Sequence, residues 1–144
     1  MVEESRITYS INNIIGFPGE TRELVFDTIR LNRMIRPDTV GTFIFTPYKG
    51  TELYIYCVEH GYLSPDGPLG DLNKESVLKN NPLGNEELKG LLRTFPLYVH
   101  FGEDDFPLIR KAEYFTEEGN RIFRELSERY RIEHFSRSKR KCYA

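Results

Sequence analysis

Hydrophobic and polar positions along the first third of the chain predict a strand, a helix and a second strand. Residues 6–15 alternate weakly and become continuously apolar at Ile14 and Ile15, which is typical of a strand whose end is buried on both faces. Residues 22–35 follow the period of an amphipathic helix. Its predicted inner face consists of Leu24, Val25, Thr28, Leu31 and Ile35. Residues 38–45 are rich in β-branched and aromatic side chains, which favours a second strand.

The remainder of the chain is predicted to be helical. Thr51 is a suitable N-cap and Gly61 a suitable C-terminal residue for a helix over 52–60, with Leu53 and Cys57 on its inner face. Asn85 is predicted to cap a long helix, which Pro96 should kink. The apolar positions of this helix are Leu88, Leu91, Leu92, Phe95 and Val99. Asp105 and Thr116 are predicted to cap two further helices, over 106–114 and 117–130, the second with Ile122, Phe123, Leu126 and Tyr130 on one face.

Residues 62–85 interrupt this periodicity with many Pro, Gly and Asn residues, and only 74–79 have the pattern of a short helical turn. A loop of this length is either a functional lid or a solvated connector. We therefore divide the chain into βα units over 1–63, a linker over 64–84 and a helical region over 85–144.

The turn between the first strand and the first helix is the candidate ligand site. Gly16 and Gly19 allow a tight turn and close approach of another group, and Pro18 stiffens the turn. Glu20 or Thr21 is predicted to cap the helix that follows. Free N–H groups at a helix start suit a nucleotide-like ligand, although the glycines of a βα turn often serve packing alone.

The order of motifs around this turn resembles a known family. Ile14-Ile15-Gly16-Phe17-Pro18-Gly19-Glu20-Thr21, followed by Pro37-Asp38 and then Pro47-Tyr48-x-Gly50-Thr51-x-Leu53, is similar to the C-terminal part of the radical S-adenosylmethionine enzyme barrel. This resemblance covers residues 5–61. Residues 95–101 and 106–113 look like the tail of the cobalamin-binding subgroup, which includes anaerobic magnesium-protoporphyrin IX monomethyl ester cyclases. The implied fold class is α/β, a C-terminal fragment of a parallel, TIM-like (β/α) barrel followed by a helical C-terminal layer.

The resemblance also implies site residues. The family pattern G-x-I-x-G-x-x-x-E is matched by Ile14, Gly16 and Glu20, while Asn12 stands in place of the first glycine. In the family, the apolar side chain at the position of Ile14 packs against the adenine of S-adenosylmethionine, and the second strand flanks the same ring. The cofactor-binding residues implied for this chain are Ile14, Gly16, Gly19, Glu20, Phe45 and Thr46. No catalytic residue and no metal ligand is predicted.

Two cysteines limit what the chain does alone. Enzymes of this family hold a four-iron four-sulfur cluster with a C-x-x-x-C-x-x-C loop, and such clusters need several thiolates. Here Cys57 and Cys142 are far apart, and Cys57 is interpreted as a small buried hydrophobe. Neither S-adenosylmethionine, the cluster nor the subgroup's cobalamin is expected to bind this chain tightly. We expect a C-terminal portion that is inactive alone, either a natural split subunit or the product of a truncated gene.

Charge and hydropathy add little beyond this. The net charge of −2 gives no overall attraction to nucleic acid, and no apolar run approaches the length of a membrane span. The first residues lack the pattern of a secretory signal, so a cytoplasmic location is expected. The basic cluster at 137–141 lacks interleaved aromatic residues, which favours a solvated terminus over an RNA contact.

Three hypotheses about function remain open. The first is the C-terminal portion of a radical S-adenosylmethionine enzyme, whose partner is the missing N-terminal barrel portion, in cis or in trans. The second is a standalone module that binds a nucleotide or phosphate at residues 16–21, although no Walker-type lysine is present. The third is an assembly subunit that pairs through sheet edges. Self-association is expected because the inner sheet face would be uncovered. Its predicted residues are Ile7, Tyr9, Ile11, Phe43 and Phe45.

Overall fold

A computed structural model describes residues 7–66 and 75–143, with side chains described up to residue 134 of the last helix. Its elements are β1 (Ser10–Ile15), α1 (Arg22–Ile35), β2 (Thr39–Ile44), α2 (Glu52–Glu59), α3 (Asn85–His100), a 3₁₀ turn (Glu103–Asp105), α4 (Phe106–Ala112) and α5 (Glu117–Tyr143). The predicted strand–helix–strand order is confirmed. The last helix extends well beyond the predicted end at residue 130, and residues 75–79 are not helical.

The two strands are parallel and paired in register from Ser10 with Thr39 to Ile15 with Ile44. Because directly paired residues of parallel strands point to the same face, one face carries the pairs Ile11–Val40, Asn13–Thr42 and Ile15–Ile44. Asn13, Ile15 and Ile44 are buried there. The opposite face carries the pairs Asn12–Gly41 and Ile14–Phe43, and the side chain of Ile14 remains 50% exposed. Within the described residues, the sheet is therefore covered on one face and open on the other.

This arrangement corrects the predicted inner face of the sheet. Ile11 pairs with Val40 on the helix-covered face, whereas Phe43 lies on the open face as predicted. Tyr9 precedes β1, and its hydroxyl donates to the carbonyl of Ile35 at 2.6 Å. Ile7 is exposed, and Phe45 is buried. The apolar residue of β1 on the open face is Ile14, because side chains alternate along a strand.

The covered face of the sheet belongs to one hydrophobic core, shared with the C-terminal helices. Buried members from the strands and α1 are joined by residues of α3, α4 and α5, among them Leu88, Leu91, Phe95, Ile109, Ile122 and Leu126. The predicted inner faces of α3 and α5 are thus confirmed. α3 runs from Asn85 to His100 with Pro96 inside it, so the helix continues past the proline.

The buried face of α1 differs from the predicted one. Val25, Ile29 and Asn32 are buried, whereas Leu24 and Leu31 are 50% and 54% exposed. Asn32 is tolerated inside because its amide exchanges hydrogen bonds with the Asn13 amide, at 2.8 and 3.2 Å. The sequence misled here because α1 carries apolar residues on two adjacent sides, and periodicity does not indicate which side the sheet covers.

Helix caps were predicted with mixed success. The Thr51 hydroxyl accepts from the Tyr54 N–H at 3.2 Å, and the Thr116 hydroxyl accepts from the Gly119 N–H at 3.1 Å, as expected. Asp105 occupies the N-cap position of α4 as expected, but its side chain pairs with Arg129 and makes no cap bond. Asn85 is the first residue of α3 rather than its cap, and its side chain bonds to the backbone of Ser76. On α2, Cys57 is fully buried but Leu53 is exposed, so the predicted inner face holds only in part.

Candidate functional site

The turn between β1 and α1 requires glycine at two positions. Gly16 has a φ of +86° and Gly19 a φ of +76°, both in the left-handed region that other residues rarely adopt. A Cβ at Gly16 would lie 2.9 Å from Cδ2 of Leu88. The turn therefore packs closely on α3, and the glycines serve both conformation and packing.

Glu20 folds back over this turn. Its carboxylate accepts hydrogen bonds from the N–H groups of Gly16 and Phe17, while its own N–H donates to the Phe17 carbonyl at 3.0 Å. Burial raises the pKa of the Glu20 carboxyl group, and the two backbone hydrogen bonds oppose that shift. Of the two predicted caps of α1, Thr21 occupies the N-cap position but makes no side-chain cap bond, whereas Glu20 bonds to the preceding turn.

A distant residue binds the other side of the same turn. The side-chain oxygen of Asn81 accepts from the Gly19 N–H at 3.0 Å, and its amide nitrogen donates to the carbonyls of Phe17 at 3.1 Å and Gly16 at 3.4 Å. The segment 75–84 thus packs on the glycine turn and is not a solvated connector there. The rest of the interruption, residues 67–74, lies outside the described residues.

These contacts leave few free donors in the turn. The N–H groups of residues 16 and 17 are bound by Glu20, that of Gly19 by Asn81, and that of Glu20 by the Phe17 carbonyl. A phosphate binds such turns through free N–H groups, and here a carboxylate of the protein already occupies two of them. The geometry counts against a phosphate seat at residues 16–21.

The open sheet face lies directly before the turn. Ile14 and Phe43 are paired on it at the carboxyl end of the two strands. Asn12 lies on the same face, and its side-chain oxygen occupies the space that a Cβ at Gly41 would need. Gly41 therefore makes room for Asn12, the residue that replaces the first glycine of the family pattern. The result is an exposed apolar side chain, Ile14, beside a polar amide.

Phe45 and Thr46 extend this end of β2. The Phe45 N–H donates to the Ile15 carbonyl at 2.8 Å, which continues the strand pairing by one residue. The Phe45 ring stacks on Phe17 with 4.8 Å between ring centroids and belongs to a second apolar cluster with Cys57, Leu63 and Leu78. The buried hydroxyl of Thr46 has no hydrogen-bond partner among the described residues. The Phe45 side chain is therefore buried in this cluster and does not lie free on the open face.

The structure brings the six predicted site residues to one end of the sheet. Ile14, Phe45 and Thr46 lie at or just beyond the strand ends, Gly16 and Glu20 form one side of the turn, and Gly19 forms the side bound by Asn81. Sequence reasoning missed Asn81. Its position within a stretch rich in Pro, Gly and Asn gave no signal, because its partners are more than 60 residues away in the chain.

No group of three or more His, Cys, Asp or Glu side chains that could hold a metal ion occurs among the described residues. Cys57 is buried, and burial raises the pKa of its thiol, which keeps it protonated. Its interpretation as a small buried hydrophobe is confirmed, whereas the side chain of Cys142 lies outside the described residues. No helix in the described part of the chain is long and apolar enough to span a membrane.

Comparison with known proteins gives partial relatives. No protein-family model matches the chain, and no solved structure matches it significantly. An uncharacterized methyltransferase of Pyrococcus horikoshii is 35% identical over 88 residues, which cover 61% of this chain and 19% of the relative. Ribosomal protein uS12 methylthiotransferase RimO of Leptospira biflexa is 31% identical over 109 residues, covering 69% and 22% respectively. The tRNA-2-methylthio-N(6)-dimethylallyladenosine synthase of Clostridioides difficile is 42% identical over 45 residues, covering 31% and 9%.

The chain therefore spans about a fifth or less of the length of these relatives. The cobalamin-binding cyclases predicted from residues 95–101 and 106–113 are not supported specifically by these similarities. The methylthiotransferases support the general part of the sequence prediction, which is a relation to the C-terminal portion of radical S-adenosylmethionine enzymes.

Proposed function

We propose that this chain is the C-terminal portion of a radical S-adenosylmethionine iron-sulfur enzyme and contributes part of the wall that holds the adenine of S-adenosylmethionine. The observation that carries the proposal is the half-exposed side chain of Ile14. This side chain lies on the open face of the sheet, one residue before Ile15, the last residue of β1, and two residues before Gly16. An apolar residue there suits the face of an adenine ring.

The one-sided sheet supports a barrel fragment. Parallel sheets are usually covered on both faces, except where the strands close into a barrel with helices outside and side chains inside. In such barrels the active site lies at the carboxyl ends of the strands. The carboxyl ends of β1 and β2 carry Ile14, Phe43 and the glycine turn, so the open face would be the inner wall of the barrel.

The described residues fit the adenine of S-adenosylmethionine and do not fit a four-iron four-sulfur cluster. For the adenine, the chain offers the Ile14 side chain and the backbone of Phe45 and Thr46. For a four-iron four-sulfur cluster, the described residues offer no group of ligands, so its thiolates would come from the partner portion. When bound, the cluster and S-adenosylmethionine supply the radical chemistry, and this chain orients the adenine and excludes water from one side.

Transfer of a methyl or methylthio group is the reaction class that we propose for the complete enzyme. It rests on the names of the relatives, two of which act in methylthio transfer and one of which is a methyltransferase. Membership of the cobalamin-binding subgroup remains a finer prediction, based on residues 95–101 and 106–113. A standalone phosphate-binding module is less favoured because Glu20 and Asn81 occupy the donors of the turn. A cytoplasmic location also remains a prediction.

S-adenosylmethionine is expected to bind this chain alone with a dissociation constant no tighter than about 1 mM, equivalent to roughly −4 kcal/mol, because only one wall of its site is present. Nuclear magnetic resonance at millimolar ligand should show shifts at Ile14, Gly16 and Thr46. Ile14→Glu should remove these shifts, whereas Leu108→Glu, at another exposed apolar position on α4, should leave them unchanged. Absence of shifts at Ile14 in the wild-type chain would contradict the adenine wall, and micromolar affinity would favour a self-sufficient module.

We propose that the partner portion covers an exposed apolar stripe on α1 and the adjoining edge of β1. On a helical wheel of 100° per residue, Arg22, Phe26 and Arg33 lie on the side of α1 that faces α3 and α4. Arg22 bonds to Glu113, the Phe26 ring contacts the Tyr98 ring, and Arg33 donates to the Phe101 carbonyl. Val25 and Asn32 point to the sheet. The apolar stripe consists of the exposed residues Leu24, Leu31 and Ile35, which lie on the side of α1 away from α3. That side adjoins the edge of β1 that is unpaired in the described part of the sheet.

The isolated chain is therefore expected to self-associate through this apolar stripe and the open sheet face. Static light scattering should give a mass above 16.9 kDa that rises with concentration. The double variant Leu24→Glu/Leu31→Glu should shift the chain toward the monomer, and Leu108→Glu should have a smaller effect. A wild-type monomer at high concentration would instead favour a chain that completes its own fold.

A further inference from the structure

We propose that Asn81 is a positioning residue of the candidate adenine wall, because its side-chain amide fixes the Gly16–Gly19 turn in the conformation that follows Ile14. The assignment of adenine as the ligand rests on the proposed function. The fixing of the turn does not, since it depends only on contacts within this chain.

The three hydrogen bonds of Asn81 involve three different backbone groups of the turn. Its oxygen accepts from the Gly19 N–H at 3.0 Å, and its nitrogen donates to the Phe17 and Gly16 carbonyls at 3.1 and 3.4 Å. A primary amide supplies an acceptor and two donors from one planar group. Aspartate at the same position would keep the acceptor and, when ionised, lose both donors.

Asn81 is itself held in place by the segment 75–85, which we name the strap. Asn85 closes the strap on itself, since its side chain accepts from the Ser76 N–H at 2.9 Å and donates to the Ser76 carbonyl at 3.2 Å. The Lys79 N–H donates to the Tyr62 carbonyl at 2.7 Å. Leu78 and Leu83 are buried in the two different apolar clusters. The strap is therefore anchored on both sides of Asn81.

Asn81 and Glu20 hold the turn from complementary directions. Glu20 accepts from the N–H groups of Gly16 and Phe17, and Asn81 donates to the carbonyl groups of the same two residues. Without Asn81, both carbonyls and the Gly19 N–H lose these partners, while the Glu20 contacts remain. The turn would then be held from one direction only, and Ile14, two residues before it, would be less well fixed for ligand contact.

The test compares Asn81→Ala and Asn81→Asp by amide hydrogen exchange, read residue by residue. In Asn81→Ala the Gly19 amide is expected to exchange about tenfold faster, the effect of losing one to two ordinary hydrogen bonds, with the β1 and β2 amides unchanged. In Asn81→Asp the ionised carboxylate keeps the acceptor for Gly19 but is repelled by the Gly16 and Phe17 carbonyls, so protection of Gly19 should be lower at neutral pH and recover as the pH falls. A carboxylate facing the Gly16 and Phe17 carbonyls has a raised pKa, and its protonated form regains a donor.

The control is Asn120→Ala, which removes another side-chain amide, one that accepts from Arg93 at 2.9 Å between α3 and α5. It should leave the Gly19 amide unchanged. Asn81 is not a positioning residue if Gly19 exchange stays within twofold of wild type in Asn81→Ala, or if Asn81→Asp exchanges with no pH dependence beyond that of wild type. The proposed function fails separately, when adenosine at millimolar concentration shifts no Ile14 resonance in the wild-type chain, whatever the exchange result.

Discussion

Replacing Glu113 by alanine is expected to lower the free energy of unfolding by about 3 to 5 kcal/mol, because breaking a buried charge network leaves its other members unpaired. The Glu113 side chain is 4% exposed. It accepts from Arg22 at 2.6 and 2.9 Å, from Arg110 at 2.7 Å and from the Tyr98 hydroxyl at 2.6 Å. These residues belong to α1, α3 and α4, so Glu113, just after α4, connects three helices around one carboxylate.

The loss should not depend on pH in the ordinary range. Burial disfavours the charge on Arg22, but hydrogen bonding and attraction from Glu113 raise the pKa of its guanidinium above the usual value. Burial and the hydrogen bond to Glu113 likewise raise the pKa of the Tyr98 hydroxyl. Both groups therefore stay protonated donors between about pH 6 and pH 9, and the penalty for removing their shared acceptor persists throughout.

Urea unfolding monitored by circular dichroism measures this effect, with Glu125→Ala as the matched control. Glu125 pairs with Arg121 at 2.7 Å, but both side chains are well exposed, and exposed pairs are worth at most about 1 kcal/mol. Glu113→Gln should lie between the two variants, because it keeps an acceptor but loses the charge. A loss below about 1 kcal/mol for Glu113→Ala would mean that water readily replaces the carboxylate, contrary to its burial.

Replacing Gly90 by alanine is expected to destabilise the protein by about 1 to 3 kcal/mol, the usual cost of overpacking. Gly90 lies inside α3, where helix propensity alone predicts that alanine stabilises by about 1 kcal/mol. The tertiary structure reverses the sign. A Cβ at Gly90 would lie 2.8 Å from the carbonyl oxygen of Glu113 and 2.9 Å from its Cβ, so α4 would have to move away from α3.

Gly102→Ala is the control for this second variant. Gly102 has a φ of −66°, which alanine adopts without strain, and a Cβ there meets nothing within 4 Å. Its unfolding midpoint in urea should equal or slightly exceed that of the wild type. A stabilising effect of Gly90→Ala would show that α3 and α4 are not closely packed. It would also count against the conclusion that Glu113 connects these helices through its carboxylate.

Much of the fold was accessible from sequence because it depends on neighbouring residues. The strand–helix–strand order, the helical C-terminal region, the left-handed glycines at 16 and 19 and the caps at Thr51 and Thr116 follow from local periodicity and turn chemistry. The inner faces of α3 and α5 were also predictable, since each carries a single apolar side. The candidate site around Ile14 and Gly16 was predicted from the resemblance to a family pattern, which is itself a short local motif.

Other features depended on which distant groups come within hydrogen-bonding reach. Asp105 and Asn85 are good caps by residue type, yet Arg129 and Ser76 bind them. Glu20 was one of two expected caps of the following helix, but its partly buried carboxylate accepts instead from two N–H groups of the preceding turn.

Sequence by itself thus determined the elements, their order and the glycine turn of this protein, because backbone conformation responds to residues a few positions away. Only the tertiary structure decided that α1 turns Val25 and not Leu24 to the sheet, that Ile14 stands on the open face, and that Asn81 and Glu113 hold their respective sites. The reason is physical. Burial of a polar group or an apolar side depends on what packs against it, and for these residues that partner lies tens of positions away in the chain.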